Sequence, residues 1–182
     1  MFGHYEQDGD PAETEQIVWI VIETGEEGVT LLSEKALDTQ PYNSYNKKCG
    51  WANCSLRTWL NEVFVENAFN DEEQALLRTH ELRREGVEDR VWILSENELK
   101  QVFPSDAMRK VKITEYAAAN NGWRNGNGYG YYWTRSNTVG EKNSAAFVAS
   151  DGKTGYYYCN ARGRCVRPVI LVDPKGLTAA DD

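Results

Sequence analysis

Asn121-Gly122-Trp123-Arg124-Asn125-Gly126-Asn127-Gly128-Tyr129-Gly130-Tyr131-Tyr132-Trp133-Thr134-Arg135-Ser136 opens a stretch that closes with Gly155-Tyr156-Tyr157-Tyr158-Cys159-Asn160-Ala161-Arg162-Gly163-Arg164-Cys165. Residues 121–165 hold six of the ten tyrosines and eight of the fifteen glycines, with six asparagines and no Leu or Ile, so they cannot form an ordinary core segment. Tyr gives stiff, amphipathic contact area at low entropy cost, and Asn, Ser and Gly give adaptable hydrogen bonding, which is how antibody paratopes are composed. The stretch reads as a contact surface. Helical periodicity stops at Gly122. Beyond it, residues 131–135, 145–149, 156–159 and 165–172 are short strand candidates separated by Gly/Asn/Ser turns, which suggests an antiparallel sheet with its loops at one end.

The upstream chain reads as the scaffold. Residues 16–23 are a β-branched run that predicts a buried strand, and the turn at residues 25–28 leads to a second strand over 29–33, together a hairpin. Residues 41–46 are loop chemistry. Ser55 stands as an N-cap before a helix whose Leu56, Trp59, Leu60 and Phe64 share one face. Asp71, Glu72 and Glu73 fill the first turn of a helix that starts after Asn70, where the helix dipole favours anions. Residues 90–94 predict a short buried strand. Ser95 with Glu98 makes a capping box for a helix stopped by Pro104, and Thr114 caps one more short helix. The acidic tail, residues 173–182, reads as frayed, which leaves residues 1–172 as a single domain.

At 182 residues the chain fits one domain with a sizeable core. Its net charge of −8 is unevenly spread, with a local +4 over residues 121–165 against −12 for the remainder. An acidic body opposes nucleic acid as a partner but leaves room for an acidic ligand at the basic, aromatic face. No apolar run reaches the length of a membrane span, and the first residues do not resemble a signal peptide, so the expectation is a cytoplasmic protein as encoded, without membrane insertion. Cys49 lies near Cys54, and Cys159 near Cys165. Spacing alone cannot show a disulfide in either pair, and free thiols are the default without a secretory signal. Neither pair is a zinc knuckle, and His4 and His80 are remote from both, so neither a resident metal nor a cofactor is expected.

The chain resembles a known family over nearly its whole length. Phe2-Gly3-His4-Tyr5-Glu6-Gln7, Trp19-Ile20-Val21-Ile22 and Leu31-Leu32-Ser33-Glu34-Lys35-Ala36-Leu37-Asp38 carry the first blocks. The most specific is Trp51-Ala52-Asn53-Cys54-Ser55-Leu56-Arg57-Thr58-Trp59-Leu60-Asn61. Val91-Trp92-Ile93-Leu94-Ser95, Thr114-Glu115-Tyr116-Ala117, Trp133-Thr134-Arg135-Ser136, Ala145-Ala146-Phe147-Val148 and Val166-Arg167-Pro168-Val169 follow in order. The resemblance is to a bacterial and phage-associated domain family of unknown function, related to the C-type-lectin-like fold of the formylglycine-generating enzymes. It implies an α+β, C-type-lectin-like domain, with helices packed on short antiparallel sheets and a loop-rich C-terminal half.

Members of that fold class also serve as variable proteins of diversity-generating retroelements, in which adenines of a C-terminal coding stretch are rewritten. An AAC codon for Asn can then become Tyr, Ser, Asp, Gly, Arg, Cys or His without yielding a stop. The residue menu of 121–165 resembles that output. Asn137-Thr138 stand where Pro-Gly would usually follow the Trp-x-Arg-Ser block. The resemblance therefore implies a non-enzymatic binding protein, displayed on a phage particle or cell surface through a partner, whose ligand is a macromolecule, foremost a protein. Its expected contact residues are Trp123, Asn125, Asn127, Tyr129, Tyr131, Asn137, Asn143, Tyr156, Tyr158, Asn160, Arg162 and Arg164.

Tyr156 and Tyr158 are expected to face outward and Tyr157 inward, by strand alternation. Arg162 and Arg164 would be solvated by default or hot-spot anchors beside the tyrosines. Asn125, Asn127 and Tyr129 have no evident structural duty and read as a flexible binding loop. Trp133 and Arg135 are assigned to the scaffold, Arg135 as a buried partner of a carboxylate. The rival functions are an invariant structural or adhesion module and, less favoured, a copper or thiol enzyme using Cys159 and Cys165. A calcium-lectin reading has only Glu141 and Asp151 as nearby carboxylates.

Overall fold

Most of the predicted local signals fold into the elements they imply. The computed structural model describes residues 2–44, 49–138 and 143–177, so Tyr45, Asn46, Glu141 and residues 178–182 of the acidic tail lie outside the described residues. Strands β1 (His4–Tyr5) and β2 (Glu15–Gln16) pair antiparallel. Strand β3 (Trp19–Gly25) turns into β4 (Gly28–Ser33), the expected hairpin. β3 is not the buried strand its β-branched run suggests. It lies at a sheet edge, where Val21 is exposed. Strand β5 (Asp38–Thr39) follows.

The Trp-x-x-Cys block builds the main helix. Trp51 sits in a 3-10 turn, and Cys54, one residue before the predicted Ser55, is the N-cap whose Sγ accepts from the Arg57 N–H at 3.4 Å. Helix α1 (Ser55–Trp59) runs on through a π-turn at Leu60–Phe64 into α2 (Val65–Ala68). The block's polar residues hold the hairpin that precedes the next buried strand. Trp51 Nε1 donates to Asp89 at 2.7 Å, and Arg57 Nε donates to the other Asp89 oxygen at 2.6 Å. Asn61 Nδ2 donates to the Val91 carbonyl, while its Oδ1 accepts from the Arg90 and Val91 N–H groups.

Helix α3 (Asp71–Leu76) carries a capping box between Asn70 and Glu73. Strands β6 (Leu77–Arg78), β7 (His80–Leu82), β8 (Val87–Asp89) and β9 (Val91–Trp92) follow. The β7–β8 hairpin has no counterpart in the sequence reading, because its charged residues hide the strand alternation. Helix α4 (Glu96–Val102) has the predicted Ser95–Glu98 capping box, α5 (Asp106–Arg109) is one short turn, and α6 (Glu115–Ala119) is capped by Thr114 as expected.

The last strands are β10 (Tyr132–Asn137), β11 (Ser144–Val148), β12 (Thr154–Tyr158), β13 (Cys165–Val166) and β14 (Val169–Val172). Residues 165–172 are therefore not one strand. Pro168 offers no N–H to a ladder, and the chain crosses there from one sheet to the other. One sheet has the order β12-β11-β10-β13-β5, and in it β10 and β13 are parallel, which corrects the all-antiparallel expectation. The other has the order β3-β4-β14-β6, with β9 also paired to β14. The architecture is mixed α+β, mostly short sheets with a few short helices. One core cluster joins both sheets to the helices, and Trp51, Trp133, Tyr42, Leu56, Leu60, Phe64 and Ile170 are fully buried within it. After β14, Asp173 caps a 3-10 turn at Pro174–Gly176 and pairs with Arg78 at 2.7 Å. Among the described residues no helix is long and apolar enough to cross a membrane.

Candidate functional site

Alternation along β10, β11 and β12 gathers an aromatic cluster on one face of their sheet. Cross-strand neighbours share a face, and the register pairs Trp133 with Phe147, Phe147 with Gly155, and Ala145 with Tyr157. Tyr131, two residues before Trp133, extends the row. Trp123 stacks on Tyr131 with ring centroids 4.3 Å apart, Tyr131 is 5.6 Å from Phe147, Phe147 meets Tyr157 at 6.5 Å, and Tyr157 meets Tyr158 at 5.6 Å. Trp133 closes the inner end, buried against Tyr42 with its Nε1 donating to the Gln40 carbonyl. The outer rings remain in solvent, with Trp123 45%, Tyr157 47% and Tyr158 64% exposed.

Arg164 lies beneath these rings. Its guanidinium is 4.0 Å from the Tyr157 ring centroid and 4.6 Å from that of Phe147. The residue is 7% exposed, so the default of a solvated cation does not hold for it. Arg162 is exposed and lines a separate hollow of about 240 Å³ with Thr39, Gln40, Asn120 and Asn121.

All three tyrosines of β12 are exposed, at 48% for Tyr156. The expected inward position of Tyr157 fails because β12 is the edge strand, and Tyr157 leans over Arg164 and Phe147 instead of entering the core. Tyr156 points to the opposite face, where its hydroxyl donates to Glu96 Oε2 at 3.0 Å beside Thr154, which donates to Glu96 Oε1. The sheet thus separates Tyr156 from the Trp123–Tyr157 row. Burial alone would raise the Glu96 pKa, but hydrogen bonds from Lys100, Thr154 and Tyr156 hold it below the usual carboxylate value.

The Asn125 loop is a built turn. Asn125 Oδ1 accepts from the Asn127 and Tyr129 N–H groups at 2.9 and 3.1 Å, and the Asn125 N–H donates to the Tyr129 carbonyl at 2.9 Å. Gly128 adopts φ +83° within it, and a Cβ on Gly130 would come within 2.4 Å of Ile113. The structural duty that the sequence reading left unassigned is that of an Asx turn. Asn125 and Asn127 line an open cleft of about 660 Å³ with Lys35, Lys112 and Arg124. Arg124 forms a two-pronged ion pair with Glu115 there, and Tyr129 receives Lys110 over its ring at 5.8 Å.

The remaining expected contacts are spread out. Asn137 is exposed, yet its Nδ2 donates to the Cys49 carbonyl at 2.7 Å. Asn143 adopts φ 80°, and its carbonyl accepts from Cys159 at 2.6 Å. Asn160 is exposed in the turn after β12. Arg135 has its scaffold role, buried and paired with Glu85 at 3.2 Å and with both Glu98 oxygens. Phe147 joined a scaffold block in the sequence, and only its period-two relation to Ala145 marked the face it shares with Tyr157.

The cysteines pair across the fold. Cys49 is disulfide-bonded to Cys159, with Cα atoms 6.3 Å apart and 110 residues between them in sequence. Neither local pair forms, and the free-thiol default fails for this pair because the sheet brings the end of β12 against the segment before Trp51. Cys54 and Cys165 are free and buried, and burial pushes both thiols up to about 12. Among the described residues one carboxylate group, Glu6, Asp8 and Glu15, has metal-ligand spacing, but its oxygens already accept N–H groups of their own loop. Asp151 is exposed and accepts from the Lys153 N–H.

The model of a family described as a domain of unknown function, DUF6273, matches residues 27–174. Those residues include every block of the resemblance from Leu31 onward. No curated protein and no solved structure matches the chain.

Proposed function

The chain belongs to the DUF6273 family, a domain of unknown function, and from that premise we propose that it is a non-enzymatic binding domain of C-type-lectin-like fold that holds a protein ligand on its aromatic face. One observation carries this reading: Trp123, Tyr131, Phe147 and Tyr157 form a ring-to-ring row on strands and turns fixed from below, with Trp123 and Tyr157 at its ends about half exposed. Tyr and Trp are the residues that dominate interface hot spots, and a rigid support lets them bind at little ordering cost. The order of the family blocks, and a C-terminal sheet whose loops carry the surface, support the lectin-like assignment. The copper or thiol enzyme is disfavoured by the cysteines. Cys159 is committed to Cys49, and thiols raised to about 12 are poor nucleophiles and ligands at neutral pH.

The same surface fits the variable protein of a diversity-generating retroelement, displayed on a phage particle or cell surface through a partner. Side chains that point out can change without unfolding the chain, while those that point in cannot. Sequencing the gene, its flanks and closely related copies tests this. Substitutions are expected at adenine-derived codons for Trp123, Asn127, Tyr131, Tyr157, Tyr158, Asn160 and Arg162, with Trp133, Arg135, Cys159 and Cys165 unchanged, beside a near-copy of the segment and a reverse-transcriptase gene. Differences spread evenly over the chain, with no near-copy, would sink the diversified reading and leave an invariant structural or adhesion module.

A further inference from the structure

Arg164 is a buried cation with no carboxylate partner among the described residues. Its guanidinium is enclosed by four rings, with Tyr157 at 4.0 Å, Phe147 at 4.6 Å, Trp133 at 5.2 Å and Tyr131 at 5.9 Å. Among the described residues its Nε has no hydrogen-bond partner, and its Nη1 reaches only the Arg162 carbonyl, at 3.5 Å. That distance is beyond the normal hydrogen-bond range. The other buried arginines are treated differently. Arg135 pairs with Glu85 and Glu98, and Arg109 donates to three carbonyls and to Asp106. Arg167 comes nearest to Arg164, with no carboxylate among the described residues and a buried Nη1 without a partner, but its Nε donates to the Ser33 carbonyl at 2.9 Å. Burial lowers the Arg164 pKa from its usual value, as expected of a charge taken from water without a partner.

The ring nearest this charge, Tyr157, belongs to an edge strand. Tyr157 is half exposed, and among the described residues no hydrogen bond holds its hydroxyl, in contrast to Tyr156, which is tied to Glu96. We infer that the Tyr157 ring turns aside to admit a carboxylate to Arg164, so that the ligand of the aromatic face is an extended, acidic segment of a partner protein. An entering carboxylate would satisfy the vacant guanidinium donors in a low-dielectric surround, where charge-assisted pairs are strong. The flanking rings of Trp123, Tyr131 and Phe147 would pack against the segment's apolar atoms. The net charge of −8 opposes acidic chains over the molecule as a whole, while residues 121–165 carry a local +4, which favours such a segment at this face.

This inference rests on the protein-binding reading above, and a peptide selection separates the two. A displayed library of random linear peptides is panned on the full chain, and the best binder is compared with its Asp→Asn or Glu→Gln analogue by calorimetry. The expected result is a library enriched in acidic residues and an analogue weaker by about tenfold or more. Arg164→Met should weaken the acidic peptide equally, with no further loss when the two changes are combined. If Arg164→Met fails to fold, the Arg164 Nε–H resonance of the unaltered protein serves instead, and it should move with the acidic peptide and not with the amide. Binders without acidic preference, or an amide that binds equally well, would overturn the carboxylate subsite and leave protein binding intact. A selection with no binders would overturn both.

Discussion

Breaking the Cys49–Cys159 bond should remove a large part of the stability of this domain. The bond closes a loop of 110 residues, and the chain-entropy relation gives about 5 kcal/mol for such a loop, at the top of the 2–5 kcal/mol range seen on removing native disulfides. Domains of this size have only about 5–15 kcal/mol in total. The bond also ends the tyrosine strand, where Cys159 donates its N–H to the Asn143 carbonyl and accepts from the Asn43 N–H. Those hydrogen bonds survive reduction, so the reduced protein should keep its fold while losing stability. Urea unfolding of the oxidised protein, of the protein with a phosphine reductant, and of the Cys49→Ala/Cys159→Ala variant measures the loss. Thiol titration in denaturant should find only Cys54 and Cys165 free before reduction. All four cysteines reacting without reductant, or a stability difference under about 1 kcal/mol, would show that this bond does not hold the fold together.

Two further outcomes follow from buried charges. Asp89→Ala leaves the Trp51 N–H and the Arg57 guanidinium without their shared acceptor, so it should cost about 3 kcal/mol in urea unfolding; a loss below about 1 kcal/mol would show that water replaces the carboxylate. Burial alone would raise the Glu98 pKa, but the hydrogen bonds and charge of Arg135 hold it below the usual carboxylate value. A depressed folded pKa means that the stabilisation is fully present at neutral pH and is lost as pH falls through and below the unfolded value of about 4.3. Glu98→Gln should therefore be less stable than the parent at pH 7, with the gap closing by about pH 3; a gap that does not depend on pH would rule the ion pair out as its source.

What the sequence disclosed was local. Capping boxes, the Thr114 cap and the hairpin of β3 and β4 were legible because a few neighbouring residues determine them. Trp133 and Arg135 were placed in the scaffold and are buried there. What depended on distant parts of the chain was not legible. Cys49 finds Cys159 only after the sheet has formed. Arg164 reads as a surface cation until Tyr157, Phe147 and Trp133 close around it. The Asn125 turn had a visible signal in Asn-x-Asn-Gly, which the expectation of a flexible loop passed over. Tyr156 and Tyr158 were grouped by composition with residues from which the sheet divides Tyr156.

The crossing at Arg167 and Pro168 binds the fate of one sheet to that of the other. β13 lies between β10 and β5, and β14, two residues later, is the strand on which β4, β6 and β9 all depend. Arg167 fastens the junction by donating to the carbonyls of Ser33 and Glu34, at the end of β4. Neither β13 nor β14 can leave its sheet without dragging on the other, so heat or denaturant meets one cooperative unit. The deepest amides of both sheets should then exchange with solvent at a common rate, through global opening.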